Sequence, residues 1–202
     1  MKYLIFLLFA GFAQVGISAQ TVSGFIGKSG SNLFLIPQNS TNYYALVAGN
    51  DDVKESLDRL GKGDFITGQG ALDTINKKLT VSSINYVGLR KLLGRWVGGD
   101  GMMVFKDFSR MKFSPRLAQN STGNIPNNYQ KEFRYTLSPS DGSEWALFLS
   151  DGKSTMFATV EFDAGKTSLQ SEPLVIRKST ILMKIYESES GNIIRTLKLE
   201  RP

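Results

Sequence analysis

The feature that most constrains the fold is a period-two alternation of apolar and polar residues, broken repeatedly by tight-turn dipeptides. Phe133, Tyr135 and Leu137 occupy alternate positions, and dipeptides such as Asp151-Gly152 separate segments of this kind. A period of two places apolar side chains on one face of a strand. Short strands joined by tight turns are typical of sandwiches and barrels. The sequence therefore predicts an all-β protein.

The chain of 202 residues contains no Cys and no His. Disulfide scaffolds, thiolate nucleophiles and Cys-lined metal sites are thereby excluded. Most triad hydrolases and zinc enzymes are excluded as well, because they depend on imidazole. No nucleophile elbow, Walker sequence or dinucleotide fingerprint occurs. We therefore expect a protein that is not an enzyme and that uses no cofactor or metal.

Residues 1–19 have the three parts of a secretory signal. Lys2 precedes an apolar run at 3–13, and small residues precede a cut after Ala19. The run is shorter than the roughly 20 apolar residues that a membrane helix requires. We expect a secreted or periplasmic protein whose mature chain, 20–202, has no transmembrane segment.

The segment 20–88 is predicted to contain three strands, a helix and two more strands. The strands are expected at 21–27, 33–36, 43–47, 65–70 and 79–87. In the helix, apolar residues spaced i, i+4 and i+7 from Val53 share one face. Asp51 or Asp52 is expected to cap its start, and Gly61 is expected to supply a left-handed residue at its end.

This order of elements resembles that of the OB-fold, a five-stranded Greek-key barrel. The sequence Gly-Asp-Phe-Ile-Thr-Gly-Gln-Gly at 63–70 is similar to the glycine-rich start of the fourth OB strand, where glycine relieves crowding at a bend. The resemblance implies that an oligonucleotide or oligosaccharide binds across strands two and three. The candidate residues on that face are Phe34, Tyr43, Tyr44, Lys28 and Lys62.

A linker at 89–93, with spacing for one short helical turn, leads to a second domain at 94–202. Its candidate strands lie at 102–105, 108–113, 132–137, 145–149, 156–162, 174–177, 181–187 and 193–199. Eight short antiparallel strands joined by tight turns predict an eight-stranded up-and-down barrel. An open sandwich is the alternative. The predicted fold class is thus all-β, with two small antiparallel barrels.

The sequence Gly94-Arg95-Trp96 resembles the Gly-x-Trp that opens lipocalins and related ligand-binding barrels. In that family the Trp packs against the closed end of the barrel, next to a basic residue. The resemblance implies an interior cavity for a small hydrophobic ligand. Its candidate lining residues are Trp96, Phe105, Phe113, Trp145, Phe148 and Phe157. The alternative is that the same side chains fill the barrel completely.

Three functions remain open. The leading hypothesis is an exported binding protein for a small hydrophobic ligand or a cell-envelope partner. The net charge of +6 allows a second hypothesis, in which the OB-like face binds single-stranded nucleic acid or an anionic glycan. Export makes nucleic acid the less favoured of these two ligands. The third is a structural role in an envelope assembly through exposed strand edges.

The export hypothesis predicts that the mature chain begins at Gln20. Replacing Ala19 by Asp should block processing, because the cleavage site requires small residues. The measurement is the intact mass of the exported protein from cells that express each form. Recovery of an uncut wild-type chain in the cytosolic fraction would contradict this.

Overall fold

The computed structural model describes residues 20–116, 130–140, 142–163, 179–187 and 189–202. The predicted signal segment 1–19 and the predicted strand 174–177 lie outside these ranges. None of the helices in the described part of the chain combines the length and the apolar character needed to cross a membrane.

The first five strands pair with one another in a closed ring. They are β1 (Gln20–Ser29), β2 (Asn32–Pro37), β3 (Tyr44–Ala48), β4 (Phe65–Asp73) and β5 (Lys78–Gly88). The order of pairing is β1-β2-β3-β5-β4 and back to β1; only β3 and β5 run parallel. Ile26, Ile66 and Leu79 are fully buried inside this ring.

The helix α1 (Asp51–Asp58) follows β3 and covers one end of the ring with Val53 and Leu57, both buried. Its N-cap is Asn50, not the predicted Asp51 or Asp52. The Val53 N–H donates to Asn50 Oδ1 at 2.8 Å, and the Asn50 side-chain amide donates to the carbonyl of Ser82 on β5. An amide can do both, whereas a carboxylate cannot donate the second bond.

The end of α1 also differs from the prediction. Arg59 ends the helix in a right-handed conformation. The positive φ expected at Gly61 occurs at Gly63 instead, with φ of 87°. The loop between α1 and β4 therefore extends past the helix before it turns, which leaves Lys62 on an exposed loop.

The remaining eight strands form a closed antiparallel barrel. They are β6 (Gly94–Gly98), β7 (Gly101–Phe105), β8 (Arg110–Pro115), β9 (Lys131–Pro139), β10 (Trp145–Ser150), β11 (Thr155–Phe162), β12 (Thr180–Tyr186) and β13 (Ile193–Glu200). Each strand pairs with the next, and β13 returns to pair with β6. This confirms the predicted up-and-down barrel and excludes the open sandwich.

Seven of the candidate strands correspond to β7–β13, and the eighth barrel strand is β6. The sequence pattern predicts no strand at β6 and places only the start of the second domain there. The segment Gly94–Gly98 contains two glycines and one arginine. Its apolar residues are therefore too few to predict a strand. All five residues of this segment pair with β7, and this pairing makes the segment a strand.

The two barrels share a packed interface. Val87 on β5 pairs with Leu137 on β9. The Phe108 ring stacks on Phe65 with centroids 6.0 Å apart, and a Cβ on Gly88 would lie 2.7 Å from that ring. The linker is the short 3-10 turn Arg90–Leu92, which was predicted as a helical turn. The barrels and linker bury one continuous hydrophobic cluster.

The close approach of β4 and β5 predicts a strong effect at Gly68. A Cβ there would collide with the Ser83 carbonyl oxygen, so Gly68→Ala should lower the free energy of unfolding by about 1–3 kcal/mol. Urea unfolding measures the change. In the control variant Gly99→Ala the new Cβ has no atom within 4 Å, and we expect a change within about 0.5 kcal/mol. Equal effects at the two sites would contradict the packing argument.

Candidate functional site

Four of the residues assigned to the barrel cavity lie inside the barrel. Trp96, Phe105 and Trp145 are each 1% exposed, and Phe113 is half-buried against the same cluster. Their cross-strand neighbours also point inward and are buried: Trp145 pairs with Val160, which in turn pairs with Met183. These aromatic side chains form the barrel core.

The other two, Phe148 and Phe157, lie on the outer face of the barrel, not in its interior. Leu147 and Leu149 on either side of Phe148 are buried, whereas Phe148 is 43% exposed. Its ring packs against Phe157, which packs against Tyr186 in turn. Because β10 is apolar on both faces, its sequence could not indicate which face is inside.

The residues assigned to the OB-like face are only partly brought together. Tyr43 is 53% exposed, its ring lies edge-on to Phe34 at 5.7 Å, and the Lys77 ammonium lies 5.5 Å from the Tyr43 ring centroid. Tyr44 packs against the core. Lys28 is exposed at the end of β1, as part of the β1–β2 hairpin.

Lys62 lines a different site, a cleft of about 410 Å³ between the two barrels. The α1–β4 loop, the linker turn and the residue after β13 meet there. The cleft is lined by Arg59, Leu60, Gly61, Lys62, Asp64, Arg90, Lys91 and Arg201. Five of these eight residues have cationic side chains and one has a carboxylate.

Among the described residues, Asp64 is the only carboxylate that lines this cleft, and it is 3% exposed. Its two oxygens accept hydrogen bonds from the amides of Gly61 and Arg90, both at 2.7 Å. Burial raises the pKa of Asp64, and this effect exceeds the opposing effects of the amides and of the Lys91 and Arg90 charges. Both carboxylate oxygens bond backbone amides, so Asp64 joins the loop to the linker.

Arg59 connects the first barrel to the second. Its guanidinium lies 4.3 Å from the centroid of the Trp145 ring. It donates to the carbonyl of Ser140 at 2.7 Å and to the carbonyl of Glu144. Burial lowers its pKa. Ring stacking and carbonyl acceptors together fix the position of this cation without neutralising it.

Arg201, at the other wall of the cleft, is also held by a Trp ring and by backbone carbonyls. Its guanidinium lies 4.7 Å from the centroid of the Trp96 ring. Its Nη2 donates to the carbonyls of Lys91 and Leu93, both at 2.8 Å. The Trp96 indole N–H donates to the intervening carbonyl of Leu92 at 2.7 Å. The linker carbonyls are thus satisfied by a cation and an indole.

The remaining three cations are Lys62, Arg90 and Lys91. The Lys91 ammonium lies 4.0 Å from the centroid of the Phe162 ring, and burial lowers its pKa. The Arg90 side chain lies over Gly63, whose added Cβ would be 2.7 Å from Arg90 Nη1. Lys62 is exposed on the loop.

The positive charge of the cleft is only partly balanced within the described part of the chain, where Asp64 and Glu55 act electrostatically on its cations. None of the six ion pairs found there involves a cation of the cleft. A second cleft, of about 450 Å³, shows the contrast: it lies between β2, β3 and α1 and contains a Lys54–Asp58 ion pair. Among its lining residues, five cations against one carboxylate distinguish the inter-barrel cleft.

Sequence reasoning missed most of this site. It selected Lys62 for the OB-like face and placed Arg90 and Lys91 in the linker at 89–93, but it had no reason to join them to Arg59 or Arg201. Arg59 and Arg201 lie 142 positions apart in the chain. The local sequence signal was the basic dipeptide Arg90-Lys91, which lies between apolar residues in the linker. The linker is too short to lie away from both barrels.

Comparisons with protein-family models, curated proteins and solved structures found no match to this chain. Among the described residues, no group of three or more carboxylates is placed to hold a metal ion. The side chains that line the cleft therefore indicate its chemistry. Most of them are cationic and donate hydrogen bonds.

The buried carboxylate predicts a specific pH dependence. Because burial raises the pKa of Asp64 above its unfolded value of about 3.9, the native state binds the proton more tightly. Ionised Asp64 then lowers the free energy of unfolding as pH rises through the raised pKa. We expect the wild-type stability minus that of Asp64→Asn to fall with rising pH, starting from about pH 4.

Urea unfolding of both forms across that pH range measures the difference. Asn keeps the size and one acceptor oxygen of Asp but does not titrate. The other titrating groups are the same in both forms, so their contributions cancel in the comparison. A difference that grows with pH would show that the backbone amides and the surrounding cations together stabilise the carboxylate by more than burial disfavours it.

Proposed function

We propose that this protein is an exported, non-catalytic binding protein that holds an anionic group of a cell-envelope component in the cleft between its barrels. The observation that carries the proposal is the excess of positive charge in the cleft, with five cations around one carboxylate. Like charges brought together repel one another. An anion bound among them removes that repulsion and gains charge-assisted hydrogen bonds.

The cleft is also prepared for binding. Arg59 and Arg201 are held by aromatic rings and carbonyls, so they lose little side-chain freedom when a ligand arrives. Preorganised groups bind more tightly because the ordering cost is already met. Arg90, Lys91 and Lys62 supply the donors that reach the ligand.

We also propose that the two barrels are an OB-fold domain at 20–88 and a lipocalin-like domain at 94–202. The ring order β1-β2-β3-β5-β4, with α1 between β3 and β4, supports the first assignment. The position of Arg201 over Trp96 supports the second, since the resemblance implies a basic residue beside that Trp. The buried interior favours a filled barrel, so we place the ligand in the cleft.

The proposal predicts that small anions stabilise the protein through the cleft. At ten times its dissociation constant, an anion that binds only the native state adds about 1.4 kcal/mol, which raises Tm by about 3–6 °C for a chain of this size. Thermal unfolding in phosphate, sulfate or citrate, against chloride at the same ionic strength, measures the shift.

The matched variants are Lys62→Gln/Arg90→Gln in the cleft and Lys153→Gln/Arg134→Gln on the outside of the second barrel. Both lose one Lys and one Arg, and all four residues are exposed. General salt effects on stability act on both variants alike. The cleft variant should lose the shift and the control should keep it. If both keep it, the cleft is not the site.

A further inference from the structure

We propose that the group held in the cleft is a phosphate ester or a diphosphate, carried by a small molecule or a lipid headgroup. This rests on the proposed function and adds the chemical class of the ligand to it. Three features of the cleft support the assignment: its charge excess, its mixture of donors and the absence of a free aromatic ring among the described residues that line it.

The charge excess favours a ligand with more than one negative charge. Five cations and one carboxylate leave four positive charges to be balanced. A single carboxylate, such as that of a uronic acid, would balance one of them. A phosphate ester carries about 1.5 to 2 negative charges and three acceptor oxygens, and a diphosphate carries more. The phosphate class therefore fits the cleft better than a lone carboxylate.

The donors are of the two kinds that bind phosphate groups. The guanidinium of Arg90 presents a planar fork that matches two phosphate oxygens. Lys62 and Lys91 add compact charges that adjust to the third oxygen or to a second phosphate. These residues lie on two adjacent segments, the α1–β4 loop and the linker turn, which the Asp64 bond to the Arg90 amide holds together.

The aromatic residues around the cleft are not available for stacking. Arg59 covers Trp145, Lys91 covers Phe162 and Arg201 covers Trp96, each within 4.0–4.7 Å of the ring centroid. No aromatic residue is among the described residues that line the cleft. Single-stranded nucleic acid is typically held by stacking of its bases on aromatic rings. The cleft therefore recognises a compact charged group and not a run of bases.

The size of the cleft sets the scale of the ligand. Its volume of about 410 Å³ lies within the range of sites for small molecules, about 300–1,000 Å³. A phosphate or diphosphate with a short attached group fits into it. The cleft is open to solvent on one side, so the rest of a larger ligand can extend outward.

Isothermal titration of the purified protein at constant ionic strength tests this class. The probes are inorganic phosphate, pyrophosphate, acetate and glucuronate. We expect pyrophosphate to bind at least about tenfold more tightly than either carboxylate, and Lys62→Gln/Arg90→Gln to weaken it by about tenfold or more, as expected when charge-assisted hydrogen bonds are lost. Lys153→Gln/Arg134→Gln should bind pyrophosphate as the wild type does.

The outcomes separate this inference from the proposed function. If the carboxylates bind as tightly as pyrophosphate and the cleft variant weakens all of them, the anion site stands and the phosphate assignment falls. If no probe binds, both fall. Tighter binding of a single-stranded oligonucleotide than of pyrophosphate, lost in the cleft variant, would also overturn the assignment.

Two further arms identify the carrier. Co-sedimentation with vesicles of phosphatidylcholine containing phosphatidic acid, and not with vesicles of phosphatidylcholine alone, would assign a lipid headgroup. Binding of soluble glycerol phosphate without vesicle binding would assign a free phosphate ester. Either result supports the inference, provided that the cleft variant abolishes it.

Discussion

The linker turn between the two barrels is the constraint on which the arrangement depends. Its residues Leu89 and Leu92 are fully buried, Arg90 and Lys91 between them are exposed, and the hydrogen bond from the Trp96 indole to the Leu92 carbonyl is buried. Buried backbone groups must find partners in the protein. The Arg90 amide donates to the Asp64 carboxylate, and the Leu92 carbonyl accepts from the Trp96 indole. Arg201 donates to the carbonyls on either side of Leu92. These bonds join both barrels to one short segment.

The same bonds generate the charge of the cleft. Arg201 enters the site because the linker carbonyls need donors, and Arg59 enters because the β9–β10 connection presents carbonyls beside Trp145. Neutral donors could also bond these carbonyls, although more weakly. Guanidinium groups satisfy them and leave a full charge at each position. The positive charge of the cleft is therefore a consequence of how the barrels are joined.

Sequence reasoning succeeded where a local pattern carries the information. Period-two alternation located most strands, and the order of strands and helix in 20–88 led to the correct element order. It failed where both faces of a strand are apolar, as at Phe148, because the pattern then does not say which face is buried. It also failed at Asn50, since the preference for this cap comes from a bond to Ser82 on another strand, which no local pattern contains.

By itself, the sequence determined that this protein is all-β, that it has two strand-rich segments joined by a short turn, and that imidazole and thiol chemistry are absent. These properties depend on composition and on neighbouring residues. Only the tertiary structure decided that Arg59, Lys62, Arg90, Lys91 and Arg201 share one cleft, because barrel closure and linker burial bring together segments far apart in the chain. Where apolar and polar residues alternate, local periodicity specifies which face of a strand is buried, but it carries no information on which distant residues meet at the surface.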